Sequence, residues 1–356
     1  MNYVKRIDPF IIISSLALSG VSLFLIATTA AELLIPQAIS FVLGFVLLII
    51  FTLINYKIWP KHRMLIYLFS LILLGIIFLS PGIRGAHRWL DIGVFSIQPS
   101  EILKPFIMII LSYYLAREKK VNILILIKPL LLFLPILILI FRQPDLGNFI
   151  VYLTVFAGLQ LMAGLPIIYF IAGFIITVFL YPLIWSIMKD YQKLRLLSYL
   201  NPYSDPSGTG YNALQAMIAI GSGMLWGLGL GHGTQSRLLF LPEFHTDFIF
   251  ASLGEELGFI GAIVILLLYS ILLVRILYIG YICANKFGRL LCVGIFTQLF
   301  TQVFINIGMN LGLVPITGIT LPLISYGGSS IISSFIGLGI VISVSRQQSA
   351  TALVIK

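Results

Sequence analysis

The chain of 356 residues is 60% hydrophobic and only 10% charged, with a formal net charge of +10. Soluble globular domains are about 25% charged, so a water-soluble core could not be covered here, whereas lipid solvates apolar surface directly. The apolar content excludes disorder. Basic residues dispersed between apolar stretches, without aromatic platforms on a polar surface, exclude nucleic acid as a partner and read instead as membrane topology.

A membrane-crossing helix needs about 20 mainly apolar residues. About ten such stretches are predicted, over 10–29, 34–54, 64–80, 100–116, 121–141, 147–163, 165–186, 247–275, 288–312 and 325–345. The first follows Lys5 and Arg6, lacks a small-residue cleavage site and is followed at once by further spans, so it reads as a retained helix. The fold expected is an all-α integral membrane protein, a single membrane domain over 1–356 with one long outer loop at about 187–246.

The loops set the orientation. Lys5, Arg6, Lys57, Lys61, Arg63, Arg117, Lys119, Lys120, Arg275, Lys286, Arg289, Arg346 and Lys356 all fall on one side if both termini are cytoplasmic, with Lys128 close by. That agrees with the positive-inside rule. Arg84, Arg88, Lys104, Arg142, Lys189, Lys193, Arg195 and Arg237 then fall at the outer side or its rim. Either an anionic ligand or carboxylates such as Asp91, Asp145, Asp205 and Glu243 would partner them. The cysteines Cys283 and Cys292 fit neither a metal motif nor a disulfide framework and read as packing residues.

Turn residues crowd the long loop at 201–210, and its apolar piece at Met217–Leu230 reads as re-entrant or surface-lying. The glycines at 227, 229, 231 and 233 superficially suggest a nucleotide loop, but no βαβ unit surrounds them. Asp247 leads into a helix on which Ala251, Gly254, Gly258 and Gly261 share one face. Small residues there permit close approach of another helix. A carboxylate crowning that seam is either a desolvated general base or a helix-dipole complement. Glu243, His245 and Asp247 alternate as metal ligands would on an extended strand, without a zinc motif. No definite cofactor is implied, and loose Mg2+ or Mn2+ binding suits these carboxylates and a phosphate better than zinc.

Ser100 is the expected N-cap of the fourth helix, Glu101 and Lys104 share its face, and Pro105 should kink it just after them. The pair reads as a cavity lining or as an internal salt bridge. Asp145 is placed to cap the sixth helix. Arg84 and Arg88 could hold phosphate, and Trp89 could stack on a sugar or anchor at the interface.

From Asn306 to Ser330 the chain reads NIGMNLGLVPITGITLPLISYGGSS, a run that includes Ser325 and Ser329. This closely resembles the signature of the SEDS family, the shape, elongation, division and sporulation proteins. Arg88-Trp89, Gln98-Pro99-Ser100-Glu101, Gln143-Pro144-Asp145-Leu146-Gly147, Asn201-Pro202 and His245-Thr246-Asp247-Phe248-Ile249 resemble the same family in the same order. Asn148 departs from the Thr or Ser expected there. The short N-terminal tail and compact length look more like the elongation member than the division member.

The resemblance implies a ten-span peptidoglycan glycosyltransferase of the bacterial cytoplasmic membrane. It would polymerise lipid II on the outer face, beside a class B penicillin-binding protein and the elongation machinery. The family's essential Asp falls on Asp247, which would deprotonate the acceptor's 4-hydroxyl. That hydroxyl would attack the anomeric carbon of the lipid-linked chain with inversion, and undecaprenyl diphosphate would leave. Lys104 first, then Arg84, Arg88, Arg195 and Arg237, are the candidates for stabilising its charge. Glu101 would hold Lys104, Asp145 would order the outer rim, and Trp89, His245, Ser325 and Ser329 complete the candidate substrate site. A lipid II flippase, a division-type polymerase or a scaffold for the penicillin-binding partner are the rival readings. A flippase would need charges at mid-membrane depth and inverted repeats, whereas here the charges collect at the outer rim.

Overall fold

Apolar segments in lipid must satisfy their own backbone groups, and helices do so internally. The computed structural model describes residues 8–80, 88–91, 96–118, 124–188, 190–204, 208, 210–238 and 240–354. Its helices are α1 Pro9–Thr29, α2 Leu34–Leu53, α3 Arg63–Ile76, α4 Pro99–Ile102, α5 Lys104–Arg117, α6 Leu124–Arg142, α7 Leu146–Ala163, α8 Ile167–Phe179 and α9 Tyr181–Ile187. They continue as α10 Asp190–Leu200, α11 Tyr211–Ser222, α12 Thr234–Arg237, α13 Ile249–Ile282, α14 Lys286–Asn310 and α15 Gly328–Val354. Two short strands, β1 Leu90–Asp91 and β2 Ser96–Ile97, pair antiparallel.

Among the described residues seven helical segments are long and apolar enough to cross a membrane, or eight if the bent α8–α9 pair is one span. Helices α5 and α6 occupy two further stretches predicted as spans. The loop expected at 187–246 carries structure of its own in α10, α11 and α12.

Local chemistry starts the helices. Asp8 accepts from the amides of Phe10 and Ile11 and precedes Pro9, so it caps α1. Its other oxygen takes Arg275 Nε at 2.7 Å, which ties α1 to the far half of α13. Asp145 caps α7 as expected, and Gly164 ends that helix in the left-handed region at φ 106. Asn285 caps α14. The fourth predicted span departs from expectation. Gln98, not Ser100, stands at its N-cap, and the helix is interrupted at Leu103, one residue before Lys104, so Pro105 falls in the first turn of α5. There its missing N–H disrupts nothing.

Helices α14 and α15 are the most buried spans and form the centre of the bundle. Gly339 faces the Leu48 carbonyl and Gly44 faces the Phe335 ring, which lets α15 and α2 approach closely. At the periphery α8 has no buried residue, as suits a helix solvated by lipid.

The α13 span is not one continuous helix. Gly258 sits at φ 65, ψ −166, a conformation reserved for glycine. The backbone groups freed by the break are taken up by the segment after α11. Phe259 N donates to Met224 O at 2.8 Å and Ile260 N to Leu225 O at 3.2 Å. Leu228 N donates to Glu255 O at 2.9 Å and Gly229 N to Glu256 O at 3.1 Å. The 224–229 stretch of the Met217–Leu230 piece therefore packs directly on α13, and the small-residue face is what admits it. A Cβ on Gly258 would lie 2.3 Å from Gly227 N. Gly258→Ala should therefore lower stability by on the order of 1–3 kcal/mol, read as a lower thermal-unfolding midpoint in detergent. Gly221→Ala, where a Cβ meets open space, should not lower it.

Candidate functional site

Three segments meet at the end of the bundle where α13 begins: the turn 243–248, the loop 311–327 between α14 and α15, and the first turn of α7 with Gln98 and Ser100. The turn is pinned from outside. Ser325 Oγ donates to Thr246 O at 2.6 Å and accepts from Leu321 N at 2.8 Å. Tyr326 N donates to His245 O at 2.8 Å. Buried Gln37 donates to Ser325 O at 3.1 Å and to Ser22 Oγ at 3.0 Å, and Ser22 Oγ donates to Ile324 O at 2.6 Å.

Asp247 is held through its backbone. Its carbonyl accepts from Asn306 Nδ2 at 2.9 Å and from Asn310 Nδ2 at 3.1 Å. Asn306 Nδ2 also reaches Ile319 O at 2.7 Å, and Asn310 Oδ1 accepts from Ala251 N at 3.1 Å. Gly318, at φ 72, leaves its side open toward the carboxylate; a Cβ there would lie 3.3 Å from Asp247 Oδ2. Gly147 lets the first turn of α7 abut Thr317 and Ile319.

The carboxylate itself is half-buried and accepts no hydrogen bond among the described residues. Phe248 occupies the N-cap of α13 without a side-chain bond, so Asp247 does not cap that helix. Protein surrounds it while one side keeps solvent access. Desolvation first, then the negative charge of Glu243, pushes its pKa up to about 6. Arg195 and Arg88 oppose that rise, and Asp145 adds to it. Beside it the His245 imidazole is pushed down by burial, against the charges of Glu243 and Glu32. His245 Nδ1 is buried without a partner, and the ring meets Tyr326 edge-on.

The other predicted residues divide clearly. Arg88 lies across the turn before α7, with Nε donating to Gln143 O at 3.0 Å and a second nitrogen donating to Pro144 O. Arg195 is exposed on α10, within bonding reach of Ile316 O. These two are the cations whose fields Asp247 feels. Arg237 is turned elsewhere, onto Gly231 O at 2.9 Å. Arg84 lies outside the described residues. Trp89 is half-buried, its carbonyl accepting from Ser80 Oγ.

Lys104 and Glu101 form a closed pair at 2.6 Å, with side chains 1% and 7% exposed. The internal salt bridge is thus the arrangement observed, and Glu101 Oε2 is left buried without a partner. Asp145 is saturated by Gln98 Nε2, Ser100 Oγ and both nitrogens of Asn148. It braces the rim through its neighbours. Ser329 Oγ accepts from Gln98 N at 2.9 Å, so Ser325 and Ser329 both position backbone. Residues 241–248 form turns, so Glu243, His245 and Asp247 do not project as ligands on an extended strand. No group of three metal-binding side chains occurs among the described residues.

Sequence reading assigned no role to Asn306, Asn310 or Gln37. Two asparagines four apart in an apolar helix share one face, which was the available signal. Glu255 and Glu256 were also missed. Both are buried at the break in α13, where Glu255 accepts from Gln235 N at 2.8 Å and Glu256 from Thr28 Oγ1 at 3.0 Å.

Comparison with known proteins bears on the family and the fold. A family model described as cell cycle protein, covering FtsW, RodA and SpoVE, matches residues 6–350. The chain is 37% identical over 352 residues to peptidoglycan glycosyltransferase MrdB of Escherichia coli K12, covering 95% of this chain and 93% of that protein. It is 36% identical over 310 residues to stage V sporulation protein E of Bacillus subtilis, covering 82% and 80% respectively. Among solved structures it resembles the rod shape determining protein RodA of Thermus thermophilus, with TM-score 0.75 and 28% identity over 98% of this chain and 99% of that one. A chain from a peptidoglycan synthase complex, in which polymerization and crosslinking are coordinated, gives TM-score 0.84 and 30% identity over 96% and 98%.

Proposed function

The chain belongs to the SEDS family of FtsW, RodA and SpoVE cell cycle proteins, and from that premise we propose that Asp247 is the general base of its reaction. It is a peptidoglycan glycosyltransferase of the RodA kind, serving cell elongation and rod shape. The observation that carries the assignment of Asp247 is its setting. It is a carboxylate that accepts no hydrogen bond among the described residues, raised to about 6, held by its backbone between two arginine fields at the end of the bundle. A base works best with a pKa near the operating pH.

In this reading the donor and acceptor are lipid-linked, and lipid II is polymerised on the outer face of the cytoplasmic membrane. Asp247 takes the proton of the acceptor's 4-hydroxyl as its oxygen bonds to the anomeric carbon. The glycosyl–phosphate bond breaks and undecaprenyl diphosphate leaves. Arg88 and Arg195 sit where its charge develops, and Lys104 joins them only if its pair with Glu101 opens. Arg237 is the weaker candidate, because its charge is felt at Glu256 whereas Asp247 feels Arg195 and Arg88. Glu243, exposed beside Asp247, together with diphosphate oxygens suits a hard cation such as Mg2+ or Mn2+, which would shield the leaving group. The crosslinking partner proposed is a class B penicillin-binding protein, by analogy with the synthase complex.

Polymerisation of labelled lipid II by the purified protein with that partner tests the reading, wild type against Asp247→Asn. Lipid II crossing vesicle membranes with no polymer formed would favour a flippase instead. The pH profile supplies a separate check. Only ionised Asp247 acts as base, so activity should rise roughly tenfold per pH unit below about 6 and level off above it. Glu243→Gln removes a charge that raises Asp247, so the acid limb should move to lower pH. Arg195→Gln should move it to higher pH. An acid limb unmoved by either substitution would assign it to another group.

A further inference from the structure

At the end of the bundle opposite Asp247 lies a groove of about 630 Å3, lined by Lys57, Arg117, Lys286, Tyr113 and Asn285 among others. It is a separate place in the fold. Helix α14 starts at Lys286 in the groove and ends at Asn310, which holds Asp247. Its 25 residues at 1.5 Å each put the two sites about 37 Å apart. The positive-inside rule assigns this end to the cytoplasm.

The groove gathers like charges with little to offset them. Arg63 stands over the Tyr113 ring at 4.6 Å and Arg117 at 5.5 Å, so two guanidiniums share one ring. Arg63 donates to Pro60 O, and Arg117 donates to the Tyr113 hydroxyl. Lys286 Nζ donates to a backbone carbonyl, Glu118 O, at 3.0 Å. Lys57 is exposed, and among the described residues its ammonium meets only the face of Tyr56, at 5.9 Å. The one carboxylate facing them among the described residues, Glu118, is engaged by Lys128 at 3.3 Å. No ion pair closes Lys57, Arg63, Arg117 or Lys286 among the described residues. Lys57, Arg117 and Lys286 line the cavity and Arg63 stands beside it on the Tyr113 ring; such like charges repel one another, and an anion between them would remove that repulsion. Exposed apolar side chains adjoin these residues in the chain: Ile58 beside Lys57, Met64 and Leu65 beside Arg63, and Tyr281 and Ile282 shortly before Ala284 of the groove lining.

We infer that this groove binds the phosphate of an anionic glycerophospholipid of the inner leaflet, with the acyl chains lying on the flanking apolar surface. Donors of guanidinium and ammonium type converge on one volume, as phosphate recognition requires. The apolar flanks distinguish a lipid from a soluble phosphate, which would have no use for them. Basic residues at the cytoplasmic ends of membrane helices recognise anionic headgroups in this way.

The test uses the full-length protein in a neutral detergent, with its thermal-unfolding midpoint followed during titration with short-chain phosphatidylglycerol, phosphatidylcholine of the same chain length, or inorganic phosphate. Phosphatidylglycerol should raise the midpoint saturably, while the other two should not. The triple variant Lys57→Gln, Arg117→Gln, Lys286→Gln should need on the order of 100-fold more phosphatidylglycerol for the same shift. A charge-matched control, Lys61→Gln, Arg142→Gln, Lys193→Gln, should titrate as wild type. Lys57→Gln alone, at an exposed position, should show a smaller loss and serves if the triple variant does not fold. Equal shifts with phosphatidylcholine would overturn the proposal, as would the same shift from inorganic phosphate. So would a loss in the charge-matched control equal to that in the triple variant.

Discussion

Asp247→Asn should lower the rate of glycan polymerisation by roughly 10²–10⁴-fold, the usual contribution of a positioned general base. The substitution keeps the shape and removes the basic oxygen. It should leave the fold intact, because Asp247 is held by its carbonyl through Asn306 and Asn310, and among the described residues its carboxylate makes no hydrogen bond that an amide would lose. The direction of the pKa shift sharpens this expectation. A carboxylate raised to about 6 in the folded protein disfavours the folded state once pH rises above its unfolded value. At neutral pH the neutral amide should therefore unfold at the same temperature as wild type or slightly higher. Full activity in a folded Asp247→Asn protein would make the residue structural and reassign the base. Lost activity with a much lower unfolding midpoint would show that the substitution broke the turn.

The second large effect is expected at the buried pair. Lys104→Met should destabilise the protein by about 3–5 kcal/mol, because it strands the Glu101 carboxylate in the interior. That carboxylate already has one oxygen without a partner, and Lys104 holds the other at 2.6 Å. Adding Glu101→Gln removes the stranded charge, so the double variant should recover most of the lost stability in a thermal melt. Polymerisation by the double variant then separates two roles. If Lys104 also reaches the leaving diphosphate when the pair opens, the double variant is stable and poorly active, which is the outcome expected here. Recovery of activity together with stability would make the pair purely structural and leave charge stabilisation to Arg88 and Arg195.

Much of this molecule is legible in one dimension because membrane insertion is decided segment by segment. A run of about 20 apolar residues partitions into lipid whatever lies beyond it, and loop Lys and Arg orient the runs. Caps are equally local: Asp145 two residues before Gly147 predicts the start of α7, and it is found there. The family signature marks Asp247 and its companions in order, with no knowledge of where they meet.

What the pattern misses is long-range. The break in α13 depends on amides and carbonyls of 224–229 arriving beside Gly258, and the small-residue face around Gly258 announces a close partner without saying that it lies about 30 residues upstream. Ser100 reads as a cap by type, yet its hydroxyl is drawn to Asp145, 45 residues away. Ser325 and Ser329 read as substrate contacts, yet each is consumed by a distant backbone group.

The sequence by itself determined the solvent and the helical class, which follow from residue type and local spacing. Its resemblance to the SEDS family singled out Asp247 as the proposed base. The tertiary structure alone decided that Asp247 accepts no hydrogen bond among the described residues and has a raised pKa, and that it feels the charges of Arg88 and Arg195 while Arg237 bonds Gly231. It also decided that Lys104 is sealed against Glu101. Burial and the distance between charges set those properties, and both arise only when segments far apart in the chain pack together.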